Sequence, residues 1–344
     1  FLIYEIKTGK THEIKFNEEV FECNIGDNEI LDSHFFRFEY SSFTVPDTIK
    51  EYNMRTRALK TLHRKTINTG FKTDNYISKR LYAKSFDSEN IPVSLVYKKG
   101  MKKDGNNPLL IYGYGAYGET TETNFSRPLI SLLDRGFIYA VAHVRGGGEM
   151  GQQWYEAGKM FSKKNSFLDF IACAEHLQKC GYSYPELTFA HGESAGGLLI
   201  GAVVNMRPDL FNACVAEAPF VDVLTTMSNK HLPLTAGEYG EWGNPENRQE
   251  YEYILSYSPA DNVKARKYPA MLITSALSDS RVSYKEALKW AKKLRAANTG
   301  QNDILLHIDL NGGHFGASDR YGQIAEIARL FAFFISRAEK QKNY

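Results

Sequence analysis

At 344 residues, with 43% hydrophobic and 24% charged side chains, the chain has the size of one large globular domain, or a large one joined to a small one. Its 42 basic and 40 acidic residues leave a net charge of +2, which argues against a nucleic-acid or polyanion partner. Cys23, Cys173, Cys180 and Cys214 are irregularly spaced with no CxxC pair, so neither a disulfide framework nor a metal site is expected, and a reducing, cytoplasmic setting fits.

The chain opens "FLIYEIKTGK", without a Met and inside a strand-like run, and so reads as a piece of something longer. No run approaches the ~20 apolar residues of a membrane span, and no signal peptide opens the chain. Residues 1–66 hold short alternating runs, "FLIYEI", "THEIKF", "HFFRFEYSSF" and "TIKEYNM", which predict antiparallel strands. "YEIKTGKTHEI" from Tyr4 is echoed 48 residues on by "YNMRTRALKTL" from Tyr52, each reading strand, basic turn, strand. A repeat of that length suits a four-stranded propeller blade.

From about residue 67 strands alternate with helices. "IPVSLVY", "PLLIYGYG" and "FIYAVAHV" read as strands, with a helix over "SRPLISLLDRG" before the third. The helix "NSFLDFIACAEHLQKCG", the strand "ELTFAHG", the helix "SAGGLLIGAVVNMRP" and the strand "ACVAEAP" follow. "YPAMLITSAL", "YKEALKWAKKLRAAN", "DILLHIDL" and "YGQIAEIARLFAFFISRAEK" complete the alternation as strand, helix, strand, helix. Apolar strand runs between helices predict an α/β fold on a mostly parallel, doubly wound sheet.

Between the strand "ELTFAHG" and its helix lies Gly192-Glu193-Ser194-Ala195-Gly196, a G-x-S-x-G in the strand–turn–helix context of a nucleophile elbow. A serine hydroxyl is a poor nucleophile at neutral pH, so it needs a base and the base needs an orienting acid. His314, in the loop "NGGHFGAS" between the last strand and helix, is the candidate base. His307 falls inside a strand, and His231 comes too early for the order serine, acid, histidine. Asp279, just past the strand "MLITSAL", is the candidate acid at the carboxyl edge where α/β sheets hold ligands. Asp222 and Asp309 are rivals, Asp309 reading as structural.

Two Gly-rich stretches read as site walls. "YGYGAYG" (112–118) can bring backbone N–H groups or a phenol to an oxyanion, whereas "HVRGGGEMG" (143–151) lacks a dinucleotide context and reads as a flexible loop beside the site. Glu238 or Glu241 in "GEYGEWGNP" could pair with a cationic substrate, or be solvated loop carboxylates.

These stretches, together with "ESAGGLLIGAVVNMRPDLF", "PFVDVLTTM", "YSPADNV" and "SDSRV", resemble the prolyl oligopeptidase family, and within it oligopeptidase B, which cleaves short peptides after Arg or Lys. The resemblance implies an α/β-hydrolase with Ser194, Asp279 and His314 as catalytic triad and no cofactor. It implies an oxyanion hole from the Tyr114 hydroxyl and the Ala195 N–H, with Arg281 on the substrate backbone and Tyr117 lining the pocket before the scissile bond. The family's glutamate pair for a basic side chain falls on Glu238 and Gly240, and its aspartate pair for the next residue on Glu122 and Asn124. Half of each pair's acidic charge is missing, so basic specificity is expected in weakened form. No tryptophan near Thr235 matches the one that stacks on proline in prolyl oligopeptidase, so proline specificity is not expected.

The expected organisation is thus a remnant of the last β-propeller blades in 1–66, followed by the catalytic domain in 67–344. Short peptides, basic at the cleaved position, are the expected partners, with no nucleic acid or membrane. A carboxylesterase or lipase shares the same fold and triad, and an interaction protein on a hydrolase fold is the reading from a different class.

Overall fold

The alternating runs of the first segment fold as antiparallel strands. β1 (Leu2–Glu5) and β2 (Lys10–Glu13) form a hairpin, while β3 (Glu22–Ile25), β4 (Phe35–Ser41), β5 (Thr48–Asn53) and β6 (Leu59–Arg64) make a four-stranded sheet in chain order. The internal echo has a geometric counterpart: Tyr4 pairs with Thr11 and, 48 residues on, Tyr52 pairs with Leu59. Aromatic residues supply the packing, with Phe38, Tyr40 and Tyr52 buried beside Ile14 and Val45. β3 is not among the predicted strands, because four residues do not stand out from the polar stretch around them.

The computed structural model describes residues 1–68 and 70–342; Thr69 lies outside the described residues, as do Asn343 and Tyr344, the last two of the expected 67–344 segment. Within that segment β7 (Tyr76–Lys84), β8 (Asn90–Lys98), β9 (Leu109–Tyr112), β10 (Ile138–Ala142), β11 (Thr188–Glu193), β12 (Ala213–Glu217), β13 (Ala270–Ala276) and β14 (Ile304–Asp309) form one sheet. Its order is β14-β13-β12-β11-β9-β10-β8-β7. All neighbours from β10 to β14 are parallel, and β8 runs antiparallel to both β10 and β7. β7 is a strand the sequence pattern misses. It is an edge strand, half exposed along its length, and Lys79, Arg80 and Lys84 interrupt any apolar run; such charges also protect an edge from further pairing.

Strand side chains alternate between faces, and helices cover both. Leu109 and Ile111 of β9 join the core under the helices Lys164–Lys179, Ala195–Met206 and Tyr284–Ala297. Leu110, between them, joins the opposite core under Arg127–Asp134 and Arg320–Lys342. Phe170, Leu198, Trp290 and Phe334 are fully buried, each such side chain contributing about 1.5–3 kcal/mol of transfer free energy. The chain is thereby an α/β-hydrolase fold, and the loops after β11, β13 and β14 leave the sheet at one carboxyl edge.

Candidate active site

β11 ends in a turn whose tightness demands its glycines. A Cβ on Gly192 would lie 2.2 Å from the Gly196 carbonyl oxygen, and one on Gly196 would lie 2.6 Å from that of Gly113. Ser194, between them, has φ 55° and ψ −115°, a conformation costing on the order of 1–3 kcal/mol in a non-glycine residue. Its neighbours hold it there: Ser194 N–H donates to the Glu217 carbonyl at 2.8 Å, and its own carbonyl accepts from Phe220 N–H at 3.1 Å. The helix starts at Ala195, so its N-terminal amides, which favour negative charge, sit beside the serine.

The hydroxyl of Ser194 lies 3.0 Å from Nε2 of His314, whose Nδ1 lies 2.8 Å from Oδ2 of Asp279. Both side chains are buried. Oδ1 of Asp279 accepts the Arg281 and Val282 amides, each at 2.8 Å. Burial works against the Asp279 charge, but the hydrogen bonds from His314, Val282 and Arg281 outweigh it and hold the carboxyl below its ordinary range. An ionised Asp279 accepts Nδ1–H, which leaves Nε2 free to accept the serine proton; the tautomer follows from the network. The rival acids are occupied elsewhere. Asp222 pairs with Lys289 at 2.6 Å, and Asp309 accepts the Asn311 and Gly312 amides that begin the histidine loop.

Ser194 opens onto a cavity of about 850 Å³ that Tyr114, Ala195, Tyr117, Glu238 and Arg281 also line. Burial and nearby carboxylates push the Tyr114 phenol up to about 12, so it keeps its donor proton at neutral pH. Tyr117, with φ 61°, packs edge-on against Trp242, whose indole N–H donates to Glu238 at 3.0 Å. Arg281, placed by the hydrogen bond its backbone N–H donates to Asp279, has its guanidinium 4.8 Å from the Phe315 ring centre. Glu119 and Glu122 add carboxylates to the lining beside Glu238, so the cavity is acidic. Asn124 is not brought to this cavity. It turns to the adjoining clefts, donating to Glu122 as it does so.

Some of the support is invisible in the sequence. Glu241 is buried rather than solvated, and its carboxylate takes the Tyr117 amide at 3.1 Å and the Tyr155 hydroxyl at 2.7 Å. Lys163, also buried, donates to the Gly115 carbonyl and lies 5.1 Å from the Trp242 ring centre; burial pushes its ammonium down to about 8, with Glu241 pulling the other way. The "HVRGGGEMG" loop is packed rather than loose: a Cβ on Gly148 would lie 2.2 Å from the Gly118 carbonyl oxygen, so glycine lets it run against the site wall. Only contacts distant in sequence give these residues their roles, and no local motif signals them. Among the described residues no group of three or more His, Cys, Asp or Glu could hold a metal ion, and no helix is long and apolar enough to cross a membrane.

The chain order serine, acid, histidine, carried on the loops after β11, β13 and β14, is the arrangement of serine hydrolases built on the α/β-hydrolase fold. The model of the prolyl oligopeptidase family matches residues 123–341, and the chain belongs to that family. It is 42% identical over 330 residues to dipeptidyl aminopeptidase BI of Pseudoxanthomonas mexicana, covering 96% of this chain and 46% of that protein. Protease 2 of Moraxella lacunata is 38% identical over 97% of this chain and 49% of its own length. Among solved structures, oligopeptidase B from Leishmania major superposes with a TM-score of 0.90 at 41% identity, covering 98% of this chain and 48% of that one. Oligopeptidase B from Trypanosoma brucei, with covalently bound antipain, gives 0.89 at 44% identity over 96% of this chain and 47% of that one. The chain therefore spans about half the length of the relatives it matches.

Proposed function

We propose that this chain is the catalytic part of a serine oligopeptidase that cleaves short peptides after Arg or Lys. The observation that carries it is the hydrogen-bonded series Ser194–His314–Asp279 opening onto an acidic cavity. His314 Nε2 takes the Ser194 proton as Oγ attacks the scissile carbonyl carbon. The oxyanion accepts hydrogen bonds from the Tyr114 hydroxyl and the Ala195 N–H. His314 then protonates the leaving amine, and a water repeats the sequence on the acyl-enzyme, while Asp279 holds the imidazole throughout. Arg281 and Tyr117 bound the substrate backbone and the side chain before the cut.

Glu238 supports the basic preference, since one carboxylate can hold a guanidinium by paired hydrogen bonds. A Cβ on the exposed Gly240 would meet nothing within 4 Å, so the missing second carboxylate has room. The shared register of the two hairpins, together with the half-length match, supports reading 1–66 as the end of a β-propeller and 67–344 as the catalytic unit. Four free thiols suit a reducing, cytoplasmic setting.

The test is hydrolysis of an arginyl amide beside a short-chain ester. Glu238→Ala should raise KM for the amide about tenfold or more and leave the ester unchanged, and Gly240→Glu should lower the amide KM by about tenfold. An amide KM indifferent to both substitutions would remove the basic specificity. Turnover of the ester alone would favour the esterase.

A further inference from the structure

The segment 121–125 carries Glu122, which reaches both the Ser194 cavity and the cleft beneath the four-stranded sheet. It has no helix or strand hydrogen bonding of its own, yet its side chains alternate: Thr123 is buried, and Glu122 and Asn124 are exposed. Three anchors hold it. Glu149 Oε1 accepts the Thr121 amide at 3.0 Å. Oε1 of Glu22, on β3, accepts the Thr123 amide at 3.0 Å and the Thr123 hydroxyl at 2.8 Å. Ser41 Oγ, on β4, accepts the Phe125 amide at 3.1 Å.

Glu22 and Ser41 are directly paired across β3 and β4, so one cross-strand pair grips the segment at two points two residues apart. That spacing matches the period of an extended chain, whose alternate residues face the same way. With Thr123 pinned toward the sheet, Glu122 and Asn124 fall on its other side, and of the two Glu122 lines the Ser194 cavity.

We infer that Glu22 is a positioning residue for substrate specificity: through Thr123 it fixes Glu122 where a second basic substrate residue is read. The inference rests on the proposed peptidase reading and locates part of its selectivity in the N-terminal sheet, about 100 residues away in sequence. Two hydrogen bonds to the half-buried Glu22 carboxylate, one from the backbone and one from the hydroxyl of Thr123, are strong enough to matter. Their loss frees the segment without touching Ser194, His314 or Asp279.

The experiment compares a monobasic arginyl amide, a dibasic arginyl-arginyl amide and a short-chain ester on the wild type, Glu22→Leu and Glu22→Gln. Glu22→Leu should raise KM for the dibasic amide about tenfold with kcat unchanged, leaving the other two substrates alone. Glu22→Gln, which keeps an acceptor oxygen, should retain most of the wild-type ratio. Equal losses on all three substrates, or an unchanged dibasic-to-monobasic ratio in Glu22→Leu, overturn the inference. Hydrogen exchange reads the clamp without turnover: the Thr123 amide should exchange about tenfold faster in Glu22→Leu, and unaltered protection overturns the clamp. A wild type that ignores basic residues overturns the substrate reading, and with it the specificity role, while faster Thr123 exchange still separates that failure from failure of the clamp.

Discussion

The N-terminal sheet and the eight-stranded sheet are made of similar strands but are closed in different ways. Helices cover both faces of β9 to β13, and every strand there has a partner on each side. The four-stranded sheet has one small aromatic cluster, and large apolar side chains of the first segment stay in solvent, among them Ile6 at 87% and Leu31 at 97% exposure. Small sheets with open edges and one thin core are marginal by themselves. The two regions differ accordingly: the α/β part encloses its own chemistry, whereas the first segment depends on its neighbours and anchors the 121–125 segment beside the Ser194 cavity.

If the α/β part is chemically ready-made, removing the phenol proposed as oxyanion donor should act on turnover alone. Tyr114→Phe should lower kcat by about 10²–10³ with little change in KM; a change confined to KM would place the phenol in binding instead. In the N-terminal cluster Phe38 is fully buried. Phe38→Ala should cost that sheet about 3–5 kcal/mol and expose residues 1–64 to proteolysis, while ester turnover at Ser194 stays within about threefold. Loss of both in a single transition would mean the two regions unfold as one.

The smallest expected effect is a pH trend inside the α/β part. Burial pushes the Glu286 carboxyl up from 4.5 to about 7, against hydrogen bonds from Thr226 and the Asp222 and Val221 amides. The folded chain therefore holds this proton more tightly than the unfolded one. The stability Glu286 contributes is full below 4.5, falls as pH rises to about 7, and is flat beyond. The melting temperature of the wild type relative to Glu286→Gln should fall by several degrees across that window; a constant difference would show the carboxyl ionised throughout.

The strands from β8 onward and the grouping of Ser194, Asp279 and His314 were legible because local constraints wrote them. An apolar run marks a doubly covered strand, and an elbow must place its glycines where backbone meets backbone. β7 was not legible, since an edge strand exposed on one side carries lysines and an arginine where a core strand carries valines. Glu241 read as a partner for a cationic substrate or a solvated loop carboxylate, and Lys163 carried no signal; only the folded contacts with Tyr117, Tyr155 and Gly115 give them buried structural places. Glu22 lay in an acidic stretch with no signal of its partner about 100 residues on. Asn124, grouped with Glu122 by resemblance, lines the adjoining clefts rather than the Ser194 cavity, which only the folded path of 121–125 reveals.

The most direct measurement is covalent labelling of the full chain with a fluorophosphonate, with the modified residue located by mass spectrometry. One label at Ser194 is expected, abolished in His314→Ala and slowed by on the order of 10³–10⁴ in Asp279→Asn, both variants staying folded. A folded wild type that takes no label at Ser194, or one labelled equally fast without His314, would contradict an assembled triad.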